Sequence, residues 1–224
     1  MRPWSWSRLS TYDECPKEYW YHYVEGMPGF RPPSTSADRG KALHSQGENY
    51  LLGKIKIYPP EFQKVSTHLM NLKAREAMPE MKMAANDKWE AIDYEDKSAY
   101  FRGIIDVHYV DETEGPEGYL KTVHIEDFKT GQVYDSHPKQ MEAYVSLCAS
   151  EYPEANRFIT RLIYIDLGVI TPQKVTERER IKPIRLLLDG RIKNAEEDTI
   201  FPTRAGSHCK WCDYSQRHGG PCPN

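Results

Sequence analysis

The 224-residue sequence contains no run of apolar residues long enough to cross a bilayer, which excludes a helical membrane span. Its opening, MRPWSWSRLS, lacks the apolar stretch of a secretory signal, so a protein working in the cytosol (cytoplasmic, with no membrane partner) is expected. There is no internal repeat and no low-complexity tail. The phosphate-cradling pattern GxxxxGK(S/T) is missing, so the chain does not itself spend ATP on unwinding a duplex. Excess positive charge is lacking as well: 30 Lys and Arg against 33 Asp and Glu give a formal net charge of −3. That balance does not announce a nucleic-acid partner, although phosphate contacts need only a local basic patch. Arg8, Arg31, Arg39, Lys41, Arg102 and Lys139 can supply one, and each taken singly serves equally well as a solvated surface residue. Cysteine is scarce, with five residues: Cys15, Cys148, Cys209, Cys212 and Cys222. In a reducing compartment a CxxC pair points to metal binding or redox chemistry rather than to structural disulfides.

What is present suits a soluble chain with a real core: 39% hydrophobic and 28% charged residues, in a length that fits one large domain or one domain with a small appended module. Leu9, Tyr12, Pro16, Tyr19 and Tyr23 recur at helical spacing, two short turns with Pro16 opening the second. Residues 25–36 form a Pro/Gly/Ser connection. A helix is expected from about 37 to 52, and another after Pro59–Pro60 with Phe62, Val65, Leu69 and Leu72 on one face. From about Met81 the pattern turns to strands: 99–110, a turn-rich hairpin loop DETEGPEG, and 120–128 with Val123, Ile125 and Asp127 on one face. A helix near 138–151, a buried strand at 157–167, a polar edge strand at 172–182 and a helix near 184–197 follow, then a loop holding three cysteines. This order specifies an α/β domain.

The chemistry concentrates in GIID, ending at Asp106, and in IEDFKTG, with Asp127, Phe128 and Lys129. On a strand Asp127 and Lys129 point to the same side, and Asp106 on the partner strand of a hairpin can sit beside them. Paired carboxylates repel and become useful when they hold a divalent cation. A lysine beside them can orient or help deprotonate a water attacking a phosphodiester. The plain alternative is a surface hairpin with solvated charges, since D…DxK occurs widely by chance. Company raises the pattern. Gly40 and His44 lie one turn apart upstream, where glycine lets the helix approach the sheet and His44 can offer a nitrogen ligand; a lone helical histidine is otherwise a polar surface or core residue. Gln140 and Tyr144 share a helix face downstream, in the same cleft or merely on a satisfied half-buried face. Glu126 is expected to point away from Asp127.

The order GxxxH, GxxD, DxKTG, QxxxY resembles the RecB-like branch of the PD-(D/E)XK nuclease superfamily. The opening SRLSTYDECPKEYWYHY and the ending FPTRAGSHCKWCDY, with a last cysteine at Cys222, are similar to that branch too. The likeness runs from Ser7 to Cys222 with its motifs in family order. It implies that His44, Asp106 and Asp127, with the backbone carbonyl of Phe128, bind Mg2+ or Mn2+. It implies further that Lys129 positions the nucleophilic water, and that Gln140 and Tyr144 support Lys129 or the DNA backbone.

Cys15 together with Cys209, Cys212 and Cys222 resembles the iron-sulfur exonuclease type of this branch, the AddB-type and CRISPR-associated RecB-like exonucleases, in which one N-terminal and three C-terminal cysteines hold a 4Fe-4S cluster. Four thiolates also suit tetrahedral Zn2+. The nine residues between Cys212 and Cys222 exceed the family's short gap, which keeps zinc or a degenerate site open. His208 is a substitute ligand that four cysteines make unnecessary, and Cys148 reads as a small buried apolar residue.

The fold expected is therefore a restriction-endonuclease-like α/β core, a mixed central sheet flanked by helices. It forms a single nuclease domain over 1–224, with segments about 5–24 and 200–224 joined by a cysteine-bound cluster. The expected activity is a metal-dependent DNA nuclease, an exonuclease acting from a DNA end, of phage or CRISPR-associated type. Its DNA is single-stranded or carries free ends. Homo-oligomers and recombination or CRISPR partner proteins stay open. A non-catalytic DNA-binding or adaptor protein keeping the fold is the rival, and an intact Asp106, Asp127 and Lys129 argue against it.

Overall fold

In a computed structural model describing residues 3–32, 35–115 and 118–224, β3 (Phe101–Gly115) and β4 (Gly118–Lys129) form a long antiparallel hairpin at the centre of a seven-stranded mixed sheet. Aromatic and β-branched residues put these segments in strands. β1 (Met78–Ala85) pairs antiparallel with β3, and β5 (Arg157–Tyr164) runs parallel to β4. A parallel neighbour requires a crossover, and α5 (Ser136–Glu151) supplies it. Short strands β2 (Ala91–Ile92), β6 (Val169–Ile170) and β7 (Lys174–Glu177) complete the sheet.

α3 (Thr35–Leu51) and α4 (Ser66–Ala74), the latter entered through a 3-10 turn at Pro60–Val65, cover one face; α5 covers the other. Successive residues of β4 show the alternation: Glu126 meets His68 of α4, Asp127 meets Gln140 of α5, and Phe128 packs beside Gly47 of α3. Leu43, Tyr50, Phe62, Leu69, Leu72, Val107 and Ile163 close the core under α3 and α4. The hairpin is longer than the turn-rich sequence DETEGPEG suggests. Ladder pairing continues through Asp111–Thr122 to Gly115–Gly118, and Lys121 meets Glu112 across the strands at 3.2 Å, so cross-strand pairing holds this polar stretch in β conformation. Pro116 and Glu117 of that expected loop, and Pro33 and Ser34 of the 25–36 connection, lie outside the described residues. The polar 172–182 segment is β7 and then a helical turn, Arg178–Arg180, rather than one edge strand.

Contacts divide the chain into two units. One holds Met1–Pro3 and Thr35–Arg185, the other Trp4–Ser34 and Leu186–Asn224, with the division falling inside α6 (Ile181–Glu197). In the second unit Ser5 caps α1 (Trp6–Glu14), and Pro16 opens α2 (Pro16–Tyr19), which continues as a π-helical turn, Trp20–Val24. Trp4 stacks on Tyr19 with ring centroids 5.7 Å apart. Arg8 is buried and donates to the Tyr19 hydroxyl at 2.8 Å, so it is not part of a basic surface; its guanidinium lies over the Trp4 ring instead. No helix among the described residues is long and apolar enough to cross a membrane.

Candidate functional site

The end of β4 delivers Asp127 and Lys129 to one side of the sheet, where α5 presents Gln140 and Tyr144 one turn apart. Asp127 is buried, and Nζ of Lys129 lies 2.5 Å from its Oδ2 as an ion pair rather than an aligned hydrogen bond. Lys129 donates to Oε1 of Gln140 at 2.7 Å; Nε2 of Gln140 donates to Asp127 Oδ1 at 3.2 Å and to the Tyr144 hydroxyl at 2.7 Å. The lysine is thereby held between a carboxylate and an amide with little rotational freedom. The glycine of GIID now has a reason. A Cβ on Gly103 would stand 3.0 Å from Leu147 and 3.2 Å from the Tyr144 ring, so a side chain there would push α5 off the sheet.

Asp106 is buried on β3, and its Oδ2 accepts the backbone N–H of Phe128 at 2.8 Å. Nδ1 of His44 lies 3.2 Å from the same oxygen. Of the two glycines in α3, Gly47 makes the closer contact, where an added Cβ would be 3.1 Å from the Phe128 ring of β4 and from the Phe62 ring. At Gly40, expected to be the point of close approach, the nearest atom is Thr130 Oγ1 at 3.4 Å, an ordinary contact.

A further residue, Glu80 of β1, escapes sequence reasoning. Its carboxylate, the His44 imidazole and the Asp106 carboxylate each offer a ligand atom within 4.8 Å of the others, the one such trio of His, Cys, Asp or Glu among the described residues. Glu80 has φ of 52°, and the β1–β3 ladder pairs Pro79 with Val107 and Met81 with Ile105 but skips Glu80 and Asp106 between them. Left-handed backbone at a non-glycine residue is strained and gathers at functional sites. The sequence signal was slight: one acid at the start of the apolar run MPEMKMAA. Lys41, Ser45, Glu48 and Ile104 line the cleft over this trio.

Burial and the neighbouring Asp106 hold the Asp127 carboxyl well above the usual carboxylate range, against the lowering pull of Lys129. Burial and Asp106 likewise raise Glu80. For His44 burial pulls downward but is outweighed by the hydrogen bond and charge of Asp106 and by Asp127, so its imidazole is raised. Burial and the two aspartates push the Tyr144 phenol far up, keeping neutral the hydroxyl that accepts from Gln140. Crowded carboxylates with an imidazole are the donor set of a hard divalent cation, whose charge would relieve their repulsion. Glu126 stands on the opposite face, buried against His68 at 2.5 Å and Arg161 at 3.4 Å. Of the other basic residues, Arg31 pairs with Asp213, Arg39 with Asp166, and Arg102 lies over the Tyr94 ring.

In the second unit Cys15, Cys209, Cys212 and Cys222 line one pocket with Glu18 and His208. Cys15 sits between α1 and α2, and Cys209 in the helical turn Ser207–Trp211, where its Sγ accepts the Gly206 N–H at 3.3 Å. The long gap before Cys222 is an excursion. The Cys222 N–H donates to the Tyr214 carbonyl at 2.9 Å and its carbonyl accepts from Gln216 at 2.7 Å, so Cys222 returns beside the residues that follow Cys212. Gly220 makes the return possible, since a Cβ there would lie 2.3 Å from the Tyr214 carbonyl oxygen. Burial pushes the Cys212 thiol up to about 12, the Tyr214 N–H opposing and Glu18 and the neighbouring thiols reinforcing. Cys148 is fully buried against Met83 in the first unit.

A family model described as the PD-(D/E)XK nuclease superfamily matches residues 3–217. No curated protein matches the chain. A solved structure described as "Crystal structure of SSO0001" aligns over 100% of this chain and 87% of its own at 15% identity, with a TM-score of 0.45, a likeness too slight to support an argument.

Proposed function

Because the chain belongs to the PD-(D/E)XK nuclease superfamily, we propose that it is a divalent-metal-dependent deoxyribonuclease that hydrolyses phosphodiester bonds from a DNA end, as phage or CRISPR-associated exonucleases do. The observation that carries the reading is the meeting of His44, Glu80 and Asp106 within 4.8 Å, with Asp127 and Lys129 on the adjoining strand. His44, Asp106 and Asp127, with the Phe128 carbonyl and Glu80, are the residues to hold Mg2+ or Mn2+. When bound, such an ion lowers the pKa of attacking water and neutralises charge on the phosphate. Lys129, fixed by Asp127 and Gln140, offers its N–H donors to the attacking water and the developing phosphorane charge. Asp106, through the Phe128 N–H, ties β3 to the strand that bears the lysine. Tyr144 holds Gln140 from behind.

For the thiol pocket we favour a 4Fe-4S cluster over Zn2+. One N-terminal and three C-terminal cysteines, in the order of the iron-sulfur exonuclease type that the sequence resembles, support that choice.

Anaerobic purification, followed by digestion of linear and circular DNA with Mg2+, Mn2+ or EDTA, tests both. Ion-dependent loss of linear DNA, abolished in Asp127→Ala, is expected, together with iron and sulfide in the protein. Undiminished cutting by Asp127→Ala would remove the site assignment, and zinc without sulfide would replace the cluster.

A further inference from the structure

Asp166, in the turn between β5 and β6, collects contacts from three separate segments. Its Oδ1 accepts from Arg39 at 2.6 Å, and its Oδ2 accepts from the other Arg39 nitrogen at 2.9 Å and from the Gly131 N–H at 2.8 Å. Its backbone carbonyl accepts from Lys64 at 2.7 Å. Both Arg39 and Gly131 adjoin the metal-binding and lysine motifs. Arg39 precedes His44 by five residues on α3, and Gly131 follows Lys129 by two. The neighbouring N–H, that of Ile165, donates to the Lys129 carbonyl at 2.9 Å, which fixes Asp166 directly beyond the end of β4. Gly40 faces Thr130 on the same seam.

We propose that Asp166 is a positioning residue that latches the first turns of α3, and with them His44, to the backbone just beyond Lys129. The geometry is the bidentate arginine–carboxylate fork, which fixes orientation as well as distance. With Arg39 48% and Asp166 28% exposed at their side chains, such a pair adds little to global stability. Its service is local: it sets where the imidazole stands relative to Asp106 and Asp127, which are carried by the sheet. Arg39 holds the Asp166 carboxyl below its ordinary value, as a persistent fork requires. Asp106 thus contacts His44 directly, while Asp166 grips Arg39 on the helix that carries it.

The inference rests on the proposed metal role of His44, so its test has one arm that needs no metal. In the full-length protein without metal, Asp166→Ala should speed amide exchange at residues 40–44 and at Gly131, leaving the central hairpin unchanged. Arg39→Lys should speed exchange at 40–44 but spare Gly131, whose N–H keeps its acceptor. Mn2+ titrated into Asp166→Ala should bind about 10-fold more weakly, the lower end of the loss seen when partners behind metal ligands are removed. Cleavage at saturating Mn2+ should stay near the parent rate. Parent-like exchange at 40–44 in Asp166→Ala, or acceleration spread over the whole unit, overturns the latch. Parent protein that takes up no Mn2+ overturns the proposed function instead, and the exchange result still judges the latch.

Discussion

Gln140 accepts from the Lys129 ammonium at 2.7 Å while the same side chain donates to Asp127 at 3.2 Å. One amide therefore sets both members of the ion pair at the end of β4. Gln140→Ala leaves Lys129 held by the Asp127 ion pair alone and Asp127 without its amide donor. Cleavage should fall roughly 10- to 100-fold, the range for groups that orient reacting residues, with the melting temperature little changed. Single-turnover cleavage at saturating Mn2+ measures it, and a parent-like rate would take Gln140 out of the machinery.

Glu80 holds a left-handed backbone within a strand. Glu80→Gly relieves strain of about 1–3 kcal/mol, partly offset by the entropy glycine loses on folding. In EDTA the variant should melt at least as high as the parent, while Mn2+ affinity drops because a ligand is gone. Calorimetry paired with Mn2+ titration reads both. A variant that binds Mn2+ normally would show that Glu80 is no ligand.

Two adjacent glycines separate steric from conformational demands in the second unit. Gly219 has φ of 83° with nothing within 4 Å of an added Cβ, so Gly219→Ala should cost about 1 kcal/mol. Gly220→Ala would drive a methyl into the Tyr214 carbonyl and displace Cys222. Its expected signature is early melting with loss of whatever the thiols bind, measured as iron, zinc and sulfide content. Equal melting temperatures for the two variants would contradict the close approach at Gly220.

His137 lies 3.0 Å from the Tyr164 hydroxyl, and burial together with the Lys129 charge pulls its imidazole down to about 4 from an ordinary 6.5. The folded state thus keeps this ring neutral where the unfolded chain protonates it. Below pH 6.5 the unfolded state binds the extra proton, so stability falls as pH drops from about 6.5 towards 4. Burial lowers His108 and His124 in the same direction. In EDTA, His137→Gln should lose less melting temperature than the parent between pH 7.5 and 5. A variant that tracks the parent over that interval would assign the acid loss elsewhere.

The strand-borne half of the site was legible because a period of two places Asp127 and Lys129 together wherever IEDFKTG is extended, and a period near four does the same for Gln140 and Tyr144 on a helix. Glu80 was hidden because its position depends on an unusual φ, which no residue pattern in MPEMKMAA encodes. Asp166 was hidden for another reason: its partners lie 127 and 35 residues away, and a turn aspartate looks the same whether or not it grips them. The return of Cys222 beside Tyr214 was hidden as well, since a count of nine intervening residues does not reveal a loop that goes out and comes back. Burial of Arg8 depended on an aromatic cage that spacing alone does not reveal.

Separations along the chain also order the molecule in time. Around Asp127, hydrogen bonds join residues 4, 11, 13 and 22 apart. Those tying Trp4, Tyr12 and His22 to the far end of the chain join residues 182 to 192 apart. Short loops close early and long ones late, because closure entropy must be met before distant contacts return anything. During refolding the lysine and its carboxylate are therefore expected to be in place before the thiols are gathered. On this ordering the carboxylate–lysine cluster matures first, and the joining of the chain's two ends is expected to close assembly.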